Sequence, residues 1–189
     1  MVYIDIWTGS GCIPISVMKN MPHPNSPIKG EGASCFAIDI SEQALAVAKI
    51  NIQNHWLEGK IESLRGDLLE PLITHPNPLF KREGVEKVII SANLPYIKQN
   101  DFENMDESVY MHEPDTALYG WEKTGFELYE KLINQASILA KEGMKVVLFI
   151  EIWFDQKKVC ENHLNTLGHK YEIFTDNGGV ERCLKIEVE

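Results

Sequence analysis

Asn93-Leu94-Pro95-Tyr96 combines residue types that can hold a planar NH2 group. Asn93 offers a side-chain carbonyl as acceptor, while Pro95 fixes φ and lacks a backbone N–H, which stiffens the corner and leaves carbonyls to accept. Tyr96 adds a flat face against which a carboxamide or exocyclic amine can pack. The same four residues also read as a strand-ending turn with Tyr96 in the core. The apolar run Val88-Ile89-Ile90 before them is too short for a helix and predicts a buried strand.

A second candidate lies at the start of the chain. Asp5-Ile6-Trp7-Thr8-Gly9-Ser10-Gly11 predicts a strand leading into a turn of small residues, with a helix starting over residues 12–18. Small residues let a backbone approach a ligand closely, and a helix N-terminus offers unpaired N–H groups. Asp39, at the end of an apolar run over residues 35–40, stands where nucleotide-binding α/β folds use an acid to accept hydrogen bonds from ribose hydroxyls. Its alternative reading is a second cap for the helix that Ser41 begins. Asp67, after a third run over residues 61–64, either accepts from an adenine amino group or caps the next turn.

These residues need strands that end at one edge. Residues 2–6 form the first strand, and Leu45, Ala48 and Ile52 put one face of the following helix inward. Thr124 and Glu127 form a capping box for a helix that buries Leu128, Leu132, Ala136 and Leu139, with Gly143 at its end. A strand over residues 144–150, a helix over 155–167 and two strands over 171–174 and 183–188 complete the pattern. Asp176-Asn177-Gly178-Gly179 turns between the last two. Alternating strands and helices ending in a strand pair predict a single α/β domain, with a mostly parallel sheet and an antiparallel edge. Ligands of such sheets lie beyond the carboxyl ends of the strands, where the glycine turn, Asp39, Asp67 and Asn93 converge.

Two loop segments resemble each other: His23-Pro24-Asn25, Lys29, Glu31 and Gly32 line up with His75-Pro76-Asn77, Lys81, Glu83 and Gly84. Both read as copies of a short insert without a catalytic role, whose deletion leaves cofactor affinity intact. The net charge of −10 argues against a surface made to follow phosphates. Cys12, Cys35, Cys160 and Cys183 show no C-x-x-C spacing and the six histidines form no ligand motif, so no metal is expected. Widely spaced free thiols and the lack of a long apolar span or leader predict a cytoplasmic protein that does not cross a membrane.

Taken together, DIWTGSGCIPI, AIDIS, RGDLLEPL, NLPYI, HEPDTALYG and DNGGVERCLKI resemble the HemK-type protein glutamine methyltransferases. The resemblance covers nearly the whole chain apart from the two inserts. It implies a Rossmann-like class I methyltransferase fold with a seven-stranded sheet and helices on both faces. It also implies S-adenosylmethionine as cofactor and, as substrate, the GGQ-loop glutamine of peptide-chain release factors. On that resemblance Asp5, Trp7, Thr8, Gly9, Ser10 and Gly11 form the turn against the methionine moiety. Asp39 takes the ribose hydroxyls, and Asp67 with the Leu68 backbone flanks the adenine. Asn93 and the Pro95 carbonyl accept the two N–H groups of the substrate amide, beside Leu94 and Tyr96.

Three departures stand out. Family members carry Pro where this chain has Leu94, and NLPY resembles adenine-N6 methyltransferases acting on RNA or DNA, the alternative reading. Family members carry a helical N-terminal docking domain whereas this sequence starts at its first strand, which points to a fragment or a misassigned start; a catalytic domain over residues 1–189 is then expected to bind its protein partner weakly, or to be a noncatalytic remnant. Finally, Trp7, Trp56, Trp121 and Trp153, the four tryptophans of the chain, all stand where the family has glycine. That pattern points to UGA codons read as glycine in the source organism. At position 7 an indole is expected to crowd the cofactor's methionine end or to deform the turn, so that Trp7→Gly improves cofactor binding.

Overall fold

The structure, a computed structural model, describes residues 1–20, 35–74, 79, 84–95, 124–153 and 155–189. Tyr96, Trp121, the HEPDTALYG segment and most of both HPN-containing loops fall outside these residues. The second loop has Leu79 among them, and Leu79 is fully buried in the main core.

The described residues form one seven-stranded sheet in the order β3-β2-β1-β4-β5-β7-β6. Its strands are β1 (Val2–Ile6), β2 (Cys35–Asp39), β3 (Ile61–Arg65), β4 (Lys87–Ala92), β5 (Lys145–Glu151), β6 (Lys170–Thr175) and β7 (Glu181–Val188). The first five run parallel, and β7 runs antiparallel to both β5 and β6. The antiparallel strand therefore lies one place in from the edge, with β6 outermost. Asp176 makes the β6–β7 turn: its carboxylate accepts from the amides of Gly178 (2.8 Å) and Val180 (3.0 Å).

Among the described residues five helices flank the sheet: α1 (Cys12–Asn20), α2 (Glu42–Asn54), α3 (Glu70–Ile73), α4 (Glu127–Lys141) and α5 (Lys157–Leu167). Successive strand residues point to opposite faces, and the chain uses this to build two cores. Ile4, Ile6, Phe36, Ile38, Val88 and Ile90 pack with α3, α4 and α5 on one face. Tyr3, Cys35, Ala37 and Ile61 pack with Ile15 of α1 and Ile52 of α2 on the other. Both faces of β1 and β2 are covered, so every residue of each strand is buried. This is why neither reads as an alternating pattern.

Local chemistry sets the helix ends. The Ser41 hydroxyl accepts from the Ala44 amide at 3.2 Å and caps α2. At α4 the box is half realised: the Thr124 amide donates to Glu127 at 2.9 Å, but the Thr124 hydroxyl accepts from Phe126 at 3.1 Å, not from Glu127. Helix α5 starts at Lys157, two residues later than expected. The Gln156 side chain accepts from the Trp153 amide at 3.0 Å, and the Gln156 amide donates to the Trp153 carbonyl at 3.0 Å.

Candidate active site

Strand register brings the proposed site together. Ile6 pairs with Ala92 on one side of β1 and with Ile38 on the other, so positions 7, 39 and 93 lie level at the carboxyl ends of three adjacent strands. Asp39 in turn pairs with Arg65, two residues before Asp67. Asn93 is exposed, and its side chain forms no hydrogen bond with any described residue.

The turn after β1 is built from backbone bonds. The Thr8 amide donates to the Ile38 carbonyl at 3.0 Å, and the Gly11 amide to the Thr8 carbonyl at 2.9 Å. Gly9 adopts φ +55°, and a Cβ placed there would meet nothing within 4 Å. The turn thus borders open space at the amino end of α1, which is the shape a closely approaching ligand needs. Ser10 is exposed, and its carbonyl accepts from Asn51 of α2 at 2.9 Å. Trp7 begins this turn with its ring packed against the large core.

Asp39 is buried and holds the turn in place. One of its oxygens accepts from the Gly9 amide and the other from the Ser41 amide, both at 2.9 Å. Each oxygen keeps a lone pair for a further donor. Its bond to the Ser41 amide is the cap-like role, and its bond to the Gly9 amide ties the strand end to the turn. Asp67 forms an ion pair with Lys131 of α4 and stays partly exposed. It is presented by Gly66, where a Cβ would sit 2.0 Å from the Pro71 ring, so only glycine fits. Leu68 is buried, with φ +58°.

Asp5 lies inside the sheet. It accepts from the Thr8 hydroxyl at 2.7 Å and from the Ser91 hydroxyl, which in turn contacts the Tyr3 hydroxyl at 2.5 Å. Burial pushes its pKa up to about 6 although both hydroxyls pull it down, and Asp39 nearby adds to the rise. A buried polar chain therefore links the glycine turn to β4, two residues before Asn93.

Tyr129 of α4 is a residue that motif reading missed. Its hydroxyl accepts from the Leu94 amide at 3.0 Å and donates to the Glu151 carbonyl at 2.5 Å. The corner after β4 is thereby tied to the end of β5 by a fully buried ring. Leu94 is itself buried, and its N–H fills a role that proline cannot. Ser91 was also missed, although a hydroxyl in the apolar run before Asn93 was a usable signal.

This sheet order, with a glycine turn and acidic strand ends at one edge, defines a Rossmann-like class I methyltransferase fold. Solved structures share it: the catalytic domain of hMettl16 in complex with MAT2A 3'UTR hairpin 6 aligns with a TM-score of 0.64 at 14% identity, over 99% of this chain and 64% of that one. M. capricolum TrmK in complex with S-adenosyl-homocysteine aligns with a TM-score of 0.57 at 12% identity, over 100% of this chain and 62% of that one.

Sequence comparison narrows the class: the chain is a homologue of the release factor glutamine methyltransferases. It is 34% identical over 166 residues to the enzyme of that name from Enterococcus faecalis, covering 87% of this chain and 51% of the relative. For Dictyoglomus turgidum the identity is 32% over 189 residues, covering 97% and 58%. The ribosomal protein uL3 glutamine methyltransferase of Burkholderia pseudomallei is 34% identical over 147 residues, covering 76% and 43%. The chain spans about half the length of the curated relatives it matches. No protein-family model matches it. Among the described residues no helix is long and apolar enough to cross a membrane.

Proposed function

We propose that residues 1–189 form a catalytic domain that methylates the side-chain amide nitrogen of a protein glutamine, with the GGQ glutamine of peptide-chain release factors as substrate. S-adenosylmethionine, when bound, supplies a methyl group on a positively charged sulfur. The turn from Trp7 to Gly11 borders open space for its methionine end, Asp39 has lone pairs for ribose hydroxyls, and Asp67 with Leu68 stands at the adenine end. The observation that carries the reading is the level placement of positions 7, 39 and 93, with an exposed Asn93 whose amide is unused by the described residues.

An amide nitrogen is a poor nucleophile because its lone pair is delocalised into the carbonyl. Asn93 and the Pro95 carbonyl accept its two N–H groups and fix its direction, and such alignment supplies several kcal/mol of barrier reduction. The same acceptors stabilise positive charge growing on nitrogen. Tyr96 packs beside the substrate in this reading. The relatives named for release factors and for a ribosomal protein support a protein substrate; a cytoplasmic setting and a role in translation termination belong to this proposal.

Leu94 favours a second reading, transfer to adenine N6 in RNA or DNA, and the net charge of −10 opposes it. Incubation with labelled cofactor and either a release factor or structured RNA separates the two. Label on the glutamine peptide is expected. Label on RNA overturns the proposal in favour of the nucleic-acid reading, and no label in either arm overturns it in favour of a noncatalytic domain. In the productive arm Asn93→Ala is expected to lower kcat about 10²–10³-fold, as loss of an oriented polar group does.

A further inference from the structure

Among the described residues, three that are not glycine have positive φ: Trp7 (62°), Trp56 (53°) and Leu68 (58°). That region is rare for residues with a Cβ and an outlier for bulky ones. Three of the four tryptophans are described, and two of those three occupy it. The correlation runs with residue type and not with one strained locus, because the two sites lie in unrelated turns.

Trp56 stands just after α2, one residue beyond its C-cap His55. Its amide donates to the Gln53 carbonyl at 3.0 Å, and the Leu57 amide donates to the Ile52 carbonyl at 3.1 Å. This pair of bonds is the Schellman motif, whose left-handed position is ordinarily glycine. Trp56 is 83% exposed, so burial of its ring does not compensate for the backbone conformation. Trp7 opens a turn in which Gly9 and Gly11 are also left-handed, at 55° and 78°.

We infer that positions 7 and 56 hold glycine in the natural protein, and that both are UGA codons read as glycine by the source organism. The backbone carries this for 7 and 56 alone; Trp153 does not have positive φ. With glycine at 7, the turn proposed for the cofactor has no Cβ at its entrance. The inference does not depend on the reaction the protein performs.

Two experiments test it. Sequencing the gene and mass-analysing the protein from source cells is expected to give UGA codons and glycine-mass peptides at both positions. UGG at either position, or a tryptophan-mass peptide there, overturns it. Independently, Trp56→Gly and Trp56→Ala both remove the exposed ring, but only glycine relieves the left-handed backbone. The glycine variant is expected to melt about 2–4 °C above the alanine variant. Equal melting, or a more stable alanine variant, overturns the claim that this backbone is built for glycine.

Discussion

Asp5 shows how one buried acid ties the turn to the sheet. Its side chain is 1% exposed and accepts from two hydroxyls, yet burial raises its pKa to about 6, above the usual value near 3.8. The folded state therefore holds a proton on Asp5 more tightly than the unfolded chain does. Its contribution to stability is full below about pH 4 and is lost as pH rises through about 6. In urea unfolding, the stability of the wild type minus that of Asp5→Asn is expected to fall by about 2–3 kcal/mol between pH 4 and pH 7. A difference that stays flat over that range refutes this. At this scale the sequence was legible in kind but not in partner. It supplied two roles each for Asp39 and Asp67, whereas the bonds of Asp39 to Gly9 and of Asp67 to Lys131 span 30 and 64 residues. No local pattern encodes such pairings.

At the scale of elements, strands and helices followed from apolar runs, caps and glycine stops because those signals are local. Helix α4 illustrates both the reach and the limit. The spacing of Leu128, Leu132, Ala136 and Leu139 marks its inward face, while Tyr129 and Ile133 widen that stripe and are fully buried too. In the sequence Tyr129 is one more large residue beside the stripe; in the fold it is the strut between α4, the corner after β4 and the end of β5. Tyr129→Phe keeps the ring and leaves the buried Leu94 amide and Glu151 carbonyl without this partner. The expected cost is about 1–3 kcal/mol of stability. Because the corner carries Asn93, kcat for the proposed methyl transfer is expected to fall about tenfold, measured well below the melting temperature, with cofactor affinity unchanged. Calorimetry together with steady-state kinetics checks this. Wild-type kcat in a measurably destabilised variant would show that the strut serves stability alone.

For the molecule as a whole, the question is whether the two cores open separately or as one unit. Cys35 lies in the smaller core beneath α1 and α2, and Cys160, on the inward face of α5, lies in the larger core. Both thiols are free and fully buried, and burial raises their pKa values, to about 12 for Cys160. Neither reacts without an opening that brings it to water. Cys12 is exposed and Cys183 partly so, which provides fast internal references. The cores share their walls: on β2, Cys35 and Ala37 face one core while Phe36 and Ile38 face the other. Removing α1 and α2 would strip one side of strands whose other side anchors α3 and α4, so opening one core destabilises the other. Thiol labelling followed by peptide mass analysis is therefore expected to give Cys35 and Cys160 the same opening free energy, equal to that of global unfolding. Labelling of Cys35 at a much lower free energy than Cys160 would instead make the α1–α2 layer a separately opening unit, and the glycine turn it supports would open with it.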